Sequence, residues 1–371
     1  MSQWLPKVRV ADFASAAGRV FRDLANEYCI ACNVAPVFLD TAKTVQKTVS
    51  LIREAAVAGR ADLVVFPETY IPAFPLWAAT SAPIDNHTHF NRLASQSLLI
   101  DGPEIRQLRE ACKRHNIFAH IGFNERSHAS VGCLWNASVL LGDTGEIVNH
   151  HRKLVPTFYE KLVWANGDGA GLRVAHTDRC GNVGGLICGE NTNPLARYAL
   201  MAQGEQLHIS TWPPLWPTTR GTTAGGEGQT GVSRQYDNIA ANRTRAAAHC
   251  FEAKCFDYLV KHEPSCAATL DSATQGASLF LDPTGAQLGD EVRGEEGIAY
   301  ADLDLNECVQ PKQFHDVVGG YQRLDVFDIK IDRRRREPAT FLDAMENEGS
   351  GSSAERDGRQ DVAPLSRYER S

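Results

Sequence analysis

The 371-residue chain has no apolar stretch approaching the ~20 residues that a bilayer-spanning helix needs, so no membrane partner is expected. Its first residues carry Lys7, Arg9 and Asp12 around no long apolar core, which argues against a secretory signal. Arg9, Arg19 and Arg22 lie near Phe13, Val20 and Phe21, but Asp12, Asp23 and Glu27 break the acid-poor pattern of an organellar presequence. An excess of positive charge is missing too. The net charge is −7, which argues against bulk attraction to nucleic acid. Ten cysteines are scattered without a disulfide framework, predicting reduced thiols in a cytoplasmic setting. No internal repeat is visible.

The common cofactor and metal motifs are also absent. Gly167-Asp168-Gly169-Ala170-Gly171 lacks the third glycine spacing and the following helix of a dinucleotide loop. Gly225-Gly226-Glu227-Gly228 lacks the Lys-Ser/Thr of a phosphate loop and reads instead as a loop over a pocket. His87-Thr88-His89 has no Cys or carboxylate at ligand spacing, so a polar surface loop is expected there. Cys29-Ile30-Ala31-Cys32 has redox spacing but no helix start after it. What is present is a 43% apolar composition, enough for a substantial core in one large domain or two ordinary ones.

Helix and strand patterns alternate along the chain. Val45, Val49, Ile52 and Ala56 form one helical stripe, and Ile105, Leu108, Ala111 and Cys112 form another after Asp101-Gly102-Pro103. Strands are predicted over residues 117–123, 135–141 and 146–152. The tight turn Gly142-Asp143-Thr144-Gly145 makes the last two antiparallel, so the sheet is mixed. Residues 237–251 read as a small-residue helix able to approach a neighbour closely. Residues 278–281 and 298–302 read as late strands around the turn Asp282-Pro283-Thr284-Gly285.

Three junctions carry the chemistry. Leu63-Val64-Val65-Phe66 reads as a buried strand broken by Pro67-Glu68-Thr69. The strand 146–152 is edge-like and is broken by Lys153-Leu154-Val155-Pro156. Gly184-Gly185-Leu186-Ile187 ends at Cys188 and a polar turn, after which Pro194 opens a helix. Glu68, Lys153 and Cys188 each have a plainer reading, as helix-start carboxylate, surface cation and small core thiol. Yet all three stand where a strand stops, and reacting groups in layered α/β proteins gather there. A thiol facing a helix N-terminus and a lysine is expected to shift towards thiolate, from ~8.5 to roughly 3.5–7.5.

Together these segments resemble the nitrilase superfamily of carbon–nitrogen hydrolases, over roughly residues 28–305. Phe66-Pro67-Glu68-Thr69-Tyr70-Ile71-Pro72 is similar to its glutamate motif. His151-Arg152-Lys153-Leu154-Val155-Pro156-Thr157 is similar to its lysine motif, and Gly184-Gly185-Leu186-Ile187-Cys188-Gly189-Glu190-Asn191 to its cysteine motif. Glu160 matches a second family glutamate that helps position the reacting groups. Cys-Gly-Glu-Asn-Thr-Asn-Pro-Leu-Ala-Arg looks most like fungal arylacetonitrilase-type members. Gly189 stands where nitrilases often carry Trp, which enlarges the expected pocket. Ala73-Phe74-Pro75 replaces a frequent Gly-Tyr-Pro. Residues 12–32 read as an insertion, with residues 28–35 supplying a substitute first strand.

The resemblance implies an α/β fold, a four-layer α-β-β-α sandwich with mixed sheets, whose subunits pair through helices into homo-oligomers and often spirals. It implies nitrile hydrolysis to a carboxylic acid and ammonia, with some amide, through thioimidate and thioester intermediates on Cys188. Glu68 is the implied base, Lys153 the electrostatic stabiliser and Glu160 the supporting carboxylate; no metal or organic cofactor is required. Arylacetonitriles or related aromatic and aliphatic nitriles are the expected substrates. Cyanide hydratase or amidase activity is the alternative within the superfamily, and an inactive filament-forming member the alternative outside catalysis. Trp164, Gly189 and Asn191 are the expected substrate-binding residues, with Trp212 and Trp216 as further aromatic candidates. The expected division is an atypical extension over 1–27, the hydrolase domain over 28–332, and a disordered tail over 333–371, where Arg333-Arg334-Arg335-Arg336 reads as a solvated run.

Overall fold

Alternation of side chains along short apolar strands builds two sheets in the computed structural model, which describes residues 26–213, 237–261, 276–336 and 338–339. The chain lays down β1 (Asn26–Asn33), β2 (Leu63–Val65), β3 (Phe118–Arg126), β4 (Leu134–Leu141) and β5 (Ile147–Arg152). It then forms β6 (Ala175–Thr177), β7 (Gly181–Ile187), β8 (Leu207–Trp212), β9 (Phe256–Lys261), β10 (Ala277–Leu281) and β11 (Gln287–Arg293). Finally β12 (Gly297–Asp304) returns to the first sheet, whose order is β12-β1-β2-β3-β4-β5; the second runs β11-β10-β9-β8-β7-β6. Each sheet is mixed. Three parallel strands, β1-β2-β3 in one and β7-β8-β9 in the other, are flanked by antiparallel partners.

The helices are α1 (Thr41–Val57), α2 (Trp77–Thr80), α3 (His87–Gln96), α4 (Pro103–His115), α5 (Pro194–Met201) and α6 (Asn238–Ala253). Asp40 caps α1 by accepting from the Lys43 amide, and Pro103 opens α4, which Asn116 closes in the left-handed conformation. Their apolar stripes (Val45 and Ile52; Ile105 and Leu108) pack on Ile30, Cys32 and Val64. The opposite faces of the same strands, Cys29, Ala31, Leu63 and Val65, meet Val183, Leu207, Ile209 and Phe280 of the second sheet. Outside the second sheet, α5 packs on Leu186, while Ala246 and Cys250 of α6 pack on Ile187, Trp212 and Leu279. The order is helix, sheet, sheet, helix: the expected four-layer sandwich.

Cys29 and Cys32 lie on opposite faces of β1, in different cores, so they form no redox pair, in keeping with the missing helix start after them. Several expectations need correction. The turn Asp282–Gly285 joins β10 to β11, a strand the sequence reading missed. β11 is an edge strand with half its residues facing water, so it carries no apolar run. Of the small residues of α6, Ala246 and Ala247 pack on the second sheet of the same chain, while Ala240 is exposed. The arginine run is only partly solvated: Arg335 donates to Asp168 at 2.9 Å and contacts His150, and Arg333 donates to Gln203 at 2.9 Å. His87 and His89 lie on α3, where His89 stacks on Trp77. Trp216, the 225–228 glycines, residues 1–25 and residues 340–371 fall outside the described residues.

The described residues up to Arg335 form one compact unit, and the described remainder, 336 and 338–339, is exposed. Within that unit β1 is not peripheral. It pairs with β12 over its whole length and with β2 through Cys29, Ile30 and Ala31, and its residues 29–32 are fully buried. Deleting residues 12–32 removes all of β1 but Asn33. The expected outcome is loss of soluble, cooperatively folding protein, measured by size-exclusion chromatography and thermal unfolding.

Candidate active site

Glu68 sits three residues beyond β2, Lys153 directly follows β5, and Cys188 directly follows β7. The loop carrying Glu68 lies tight against β3 at Gly122, where a Cβ would stand 2.2 Å from the Pro67 carbonyl oxygen and 2.9 Å from Glu68 Cα. Only glycine lets that loop close. Glu160 enters from a 3-10 turn, Phe158–Leu162, which begins at Thr157; its carboxylate accepts from the Thr157 amide at 2.8 Å. Non-glycine residues in the left-handed region occur within the glutamate and cysteine motifs and directly after the lysine motif: Thr69 at φ 43, Cys188 at φ 54 and Phe158 at φ 48. Such strain persists only where surrounding structure enforces it, and it concentrates at functional sites.

The side chains converge. Lys153 Nζ donates to Glu68 Oε1 at 2.9 Å and to Glu160 Oε2 at 2.7 Å, with all three side chains cut off from solvent. The Cys188 sulfur and one oxygen each of Glu68 and Glu160 lie within 4.8 Å of one another. Asn136 of β4 donates a 2.6 Å hydrogen bond to Glu68 Oε1, so that oxygen is doubly held, while Glu68 Oε2 is buried and has no hydrogen-bond partner among the described residues. Sequence reasoning missed Asn136. Its only signal was an amide in the middle of an otherwise apolar strand.

Electrostatics at this cluster follow from burial. Burial pushes the Glu68 carboxyl up to about 7; Lys153 opposes the shift and Glu160 adds to it. Burial also pushes the Cys188 thiol well above its ordinary value, reinforced by Glu68 and only partly countered by Lys153. This corrects the expected thiolate: two carboxylates and a dry pocket outweigh one ammonium. Burial disfavours the Lys153 cation, but the acidic groups around it, including the Glu160 and Glu68 carboxylates it bridges, outweigh that and keep it charged. The resting site therefore holds a neutral thiol, a buried cation and a carboxyl poised to exchange a proton near neutral pH. The two carboxylates and the sulfur are close enough to surround a cation, but the Lys153 ammonium already bridges the carboxylates.

A third carboxylate fixes the frame. Glu190, in the turn after Cys188, accepts from the Leu154 amide beside Lys153, from the Ile187 amide at 2.9 Å and bonds His151 of β5 at 2.9 Å. Burial disfavours its charge, but His151 and the two amides outweigh that and hold its carboxyl below the usual range. Asn191 donates to the carbonyls of Leu186 (3.2 Å) and Cys188 (3.1 Å), and its Oδ1 accepts from Ser210 and faces His208 Nε2 at 2.9 Å. Behind it His208 and His249 both bond Glu205 at 2.7 Å. Glu205, His208 and His249 could also group around a cation, but their atoms are engaged with one another.

Cys188 opens into a cavity of about 420 Å³, lined also by Thr157, Phe158, Lys161, Gly189, Trp212 and, from α6, Asn238, Asn242 and Arg245. Of the expected substrate-binding residues, Gly189 lines it; a Cβ there would meet the Thr157 hydroxyl at 2.8 Å. Trp164 and Asn191 stand behind the wall. Trp164 packs against Phe74 and donates to Asn124, and the Asn191 amide is consumed by the backbone and His208. Trp212 does line the cavity. Asn238, Asn242 and Arg245 were not singled out from sequence.

Comparison with known proteins places this geometry in context. The profile of the family described as carbon-nitrogen hydrolase matches residues 30–313. An arylacetonitrilase of Aspergillus kawachii is 33% identical over 301 residues, covering 80% of this chain and 89% of its own. A cyanide hydratase of Alternaria brassicicola is 32% identical over 326 residues, covering 85% and 88%. The crystal structure of a carbon-nitrogen hydrolase from Helicobacter pylori shares the fold, with a TM-score of 0.61 at 17% identity over 81% of this chain and 97% of that one. With the profile spanning most of the chain and such relatives covered almost end to end, the protein belongs to the carbon–nitrogen hydrolases of the nitrilase superfamily.

Proposed function

We propose that the chain hydrolyses organic nitriles to carboxylic acids and ammonia, with Cys188 as nucleophile, Glu68 as general base, Lys153 as electrostatic stabiliser and Glu160 as the carboxylate that holds Lys153. The observation that carries this reading is the sulfur lying within 4.8 Å of two carboxylates bridged by one ammonium, at the wall of a cavity. A nitrile carbon is a weak electrophile, so the neutral thiol must lose its proton as it attacks. The unpartnered Glu68 Oε2 is the acceptor within reach. The C–S bond forms as one C–N π bond opens, and the Lys153 cation stabilises charge developing on nitrogen, which takes up the proton to give a thioimidate. Water adds with Glu68 as base. Loss of ammonia leaves a thioester, and a second water releases the acid and returns the proton to sulfur. If the tetrahedral intermediate expels the thiol instead, an amide results.

Arylacetonitriles and related aromatic or aliphatic nitriles are the substrates this reading favours over cyanide. A cavity of about 420 Å³ is far larger than a triatomic substrate fills, and Gly189 leaves room beside the sulfur. Apolar and aromatic lining from Phe158 and Trp212 suits an organic chain or ring.

Cys188→Ala is expected to abolish ammonia release from a nitrile panel while leaving circular dichroism and the unfolding midpoint near those of the parent. Because Glu68 must be ionised to accept the thiol proton, and its pKa is pushed up to about 7, kcat/KM should rise with pH and level off above that value. An acid limb in the ordinary carboxylate range instead would remove Glu68 as the base. Gly122→Ala, which displaces the Glu68 loop, should cost about 10²-fold in kcat/KM. Glu190→Gln, which weakens the hold on His151 and the Leu154 amide, should cost a similar factor. Both are read by steady-state kinetics on protein whose folding is checked in parallel.

A further inference from the structure

The buried amide of Asn191 can sit only one way round. Its Nδ2 donates to the carbonyls of Leu186 at 3.2 Å and Cys188 at 3.1 Å, and a carbonyl can only accept. Its Oδ1 is therefore the atom turned to His208, 2.9 Å from Nε2. An amide oxygen also only accepts, so His208 Nε2 carries a proton. The other ring nitrogen, Nδ1, stands 2.7 Å from Glu205 Oε1, and the second oxygen of that carboxylate stands 2.7 Å from His249 Nε2. A carboxylate facing two ring nitrogens is favoured as the anion, and an anion donates nothing, so His208 Nδ1 carries a proton as well. Acceptors on both sides thus fill both nitrogens, and the His208 ring is a buried imidazolium.

The surrounding charges agree with that state. Burial disfavours the His208 cation, but Glu205, bonded to it, and Asp257 of β9 outweigh burial and raise its pKa; Arg197 of α5, itself paired with Glu252, opposes them. Burial works against the Glu205 charge too, but His208 and His249 hold its carboxyl down at about 2. Burial pushes the Asp257 carboxyl up to about 6, so it is ionised above that value. His249 of α6 stacks on His208 with ring centres 3.8 Å apart, and burial and the His208 charge push it down to about 4. His120 of β3 is pushed down to about 3 by burial, His151 and His208, so neither neighbouring ring adds charge near neutral pH.

Resting on the reading of Cys188 as the nucleophile of a nitrile hydrolase, we propose that His208 is a positioning residue for this reaction: as an imidazolium locked between Glu205 and Asn191, it fixes the amide that holds the Cys188 carbonyl. Because the folded structure raises its pKa, the hold is complete at low pH and is lost as pH rises through that pKa. The remaining proton then stays on Nδ1, facing the Glu205 anion, and the bare Nε2 opposes the Asn191 oxygen. The amide has to turn or withdraw, and the Cys188 carbonyl, in a left-handed backbone at φ 54, loses its donor.

The test uses the whole chain, isotope-labelled in the histidine ring nitrogens and the cysteine carbonyls and followed by magic-angle-spinning NMR across pH. At neutral pH both His208 nitrogens are expected to carry protons. The Cys188 carbonyl signal should move with the midpoint at which His208 loses one of them. On a nitrile substrate, kcat/KM should hold its plateau above the Glu68 limb and then fall with that same midpoint. Glu205→Gln removes the anion bonded to the ring, and Asp257→Asn removes the second one. Each should carry the fall to lower pH, by about one pH unit or more for Glu205→Gln. A purely structural role would lower kcat/KM at every pH and leave the midpoint in place. A bare nitrogen on His208 at neutral pH, or a Cys188 carbonyl unmoved through the His208 titration, overturns the inference. So does a fall that stays put in every variant that folds. Both NMR signatures without turnover of any nitrile would remove the hydrolase reading and leave the hold on Cys188 standing.

Discussion

Lys153 is the constraint around which the rest is arranged. Its ammonium is enclosed between two carboxylates with no access to solvent. Removing one partner of a buried pair leaves an uncompensated charge, a loss of about 3–5 kcal/mol in other proteins. One cation against two carboxylates also leaves the cluster short of positive charge. Burial, which one ammonium cannot offset, keeps the thiol protonated at rest and lifts the Glu68 carboxyl up to about 7. The same burial that makes the cluster costly sets that carboxyl to exchange a proton near neutral pH.

Holding such a cluster requires both sheets. Glu68 and Lys153 come from the first sheet and Cys188 from the second. Glu190 joins them by binding the backbone on both sides, at Leu154 and Ile187, and the side chain of His151. Asn191 then pins the carbonyl of Cys188 in a left-handed backbone that an unsupported cysteine would leave. Behind Asn191 stands a buried chain of His208, Glu205 and His249, which fixes the acceptor side of that amide. The glutamate and asparagine of the cysteine motif thus serve the frame, while the cysteine itself faces the cavity.

Much of this was legible in the sequence because the reacting residue types sit where apolar runs stop, and runs of that kind become strands. β2, β3, β4, β5 and β7 follow the apolar pattern closely. β11 does not, since an edge strand with residues such as Asp290 and Glu291 half in water leaves no run to read. Asn136, Asn238 and Asn242 were illegible for a different reason. Their roles depend on partners 68 residues away, as for Asn136 and Glu68, or on which face of a helix meets a cavity. The sign of the thiol shift was also beyond the sequence: helix termini and a lysine argue for thiolate, and only the packed position of Glu68 and the depth of burial reverse it.

The pairing of β1 with β12 has a consequence for biosynthesis. The first strand in the sheet finds one of its two neighbours only in residues 297–304, near the end of the described chain. Until that stretch leaves the ribosome, β1 presents an unpaired edge and a row of buried-type side chains to water. The nascent polypeptide must therefore carry β1 without its antiparallel neighbour until residues 297–304 emerge, and a chaperone that shields an exposed strand edge can act on this segment throughout that interval.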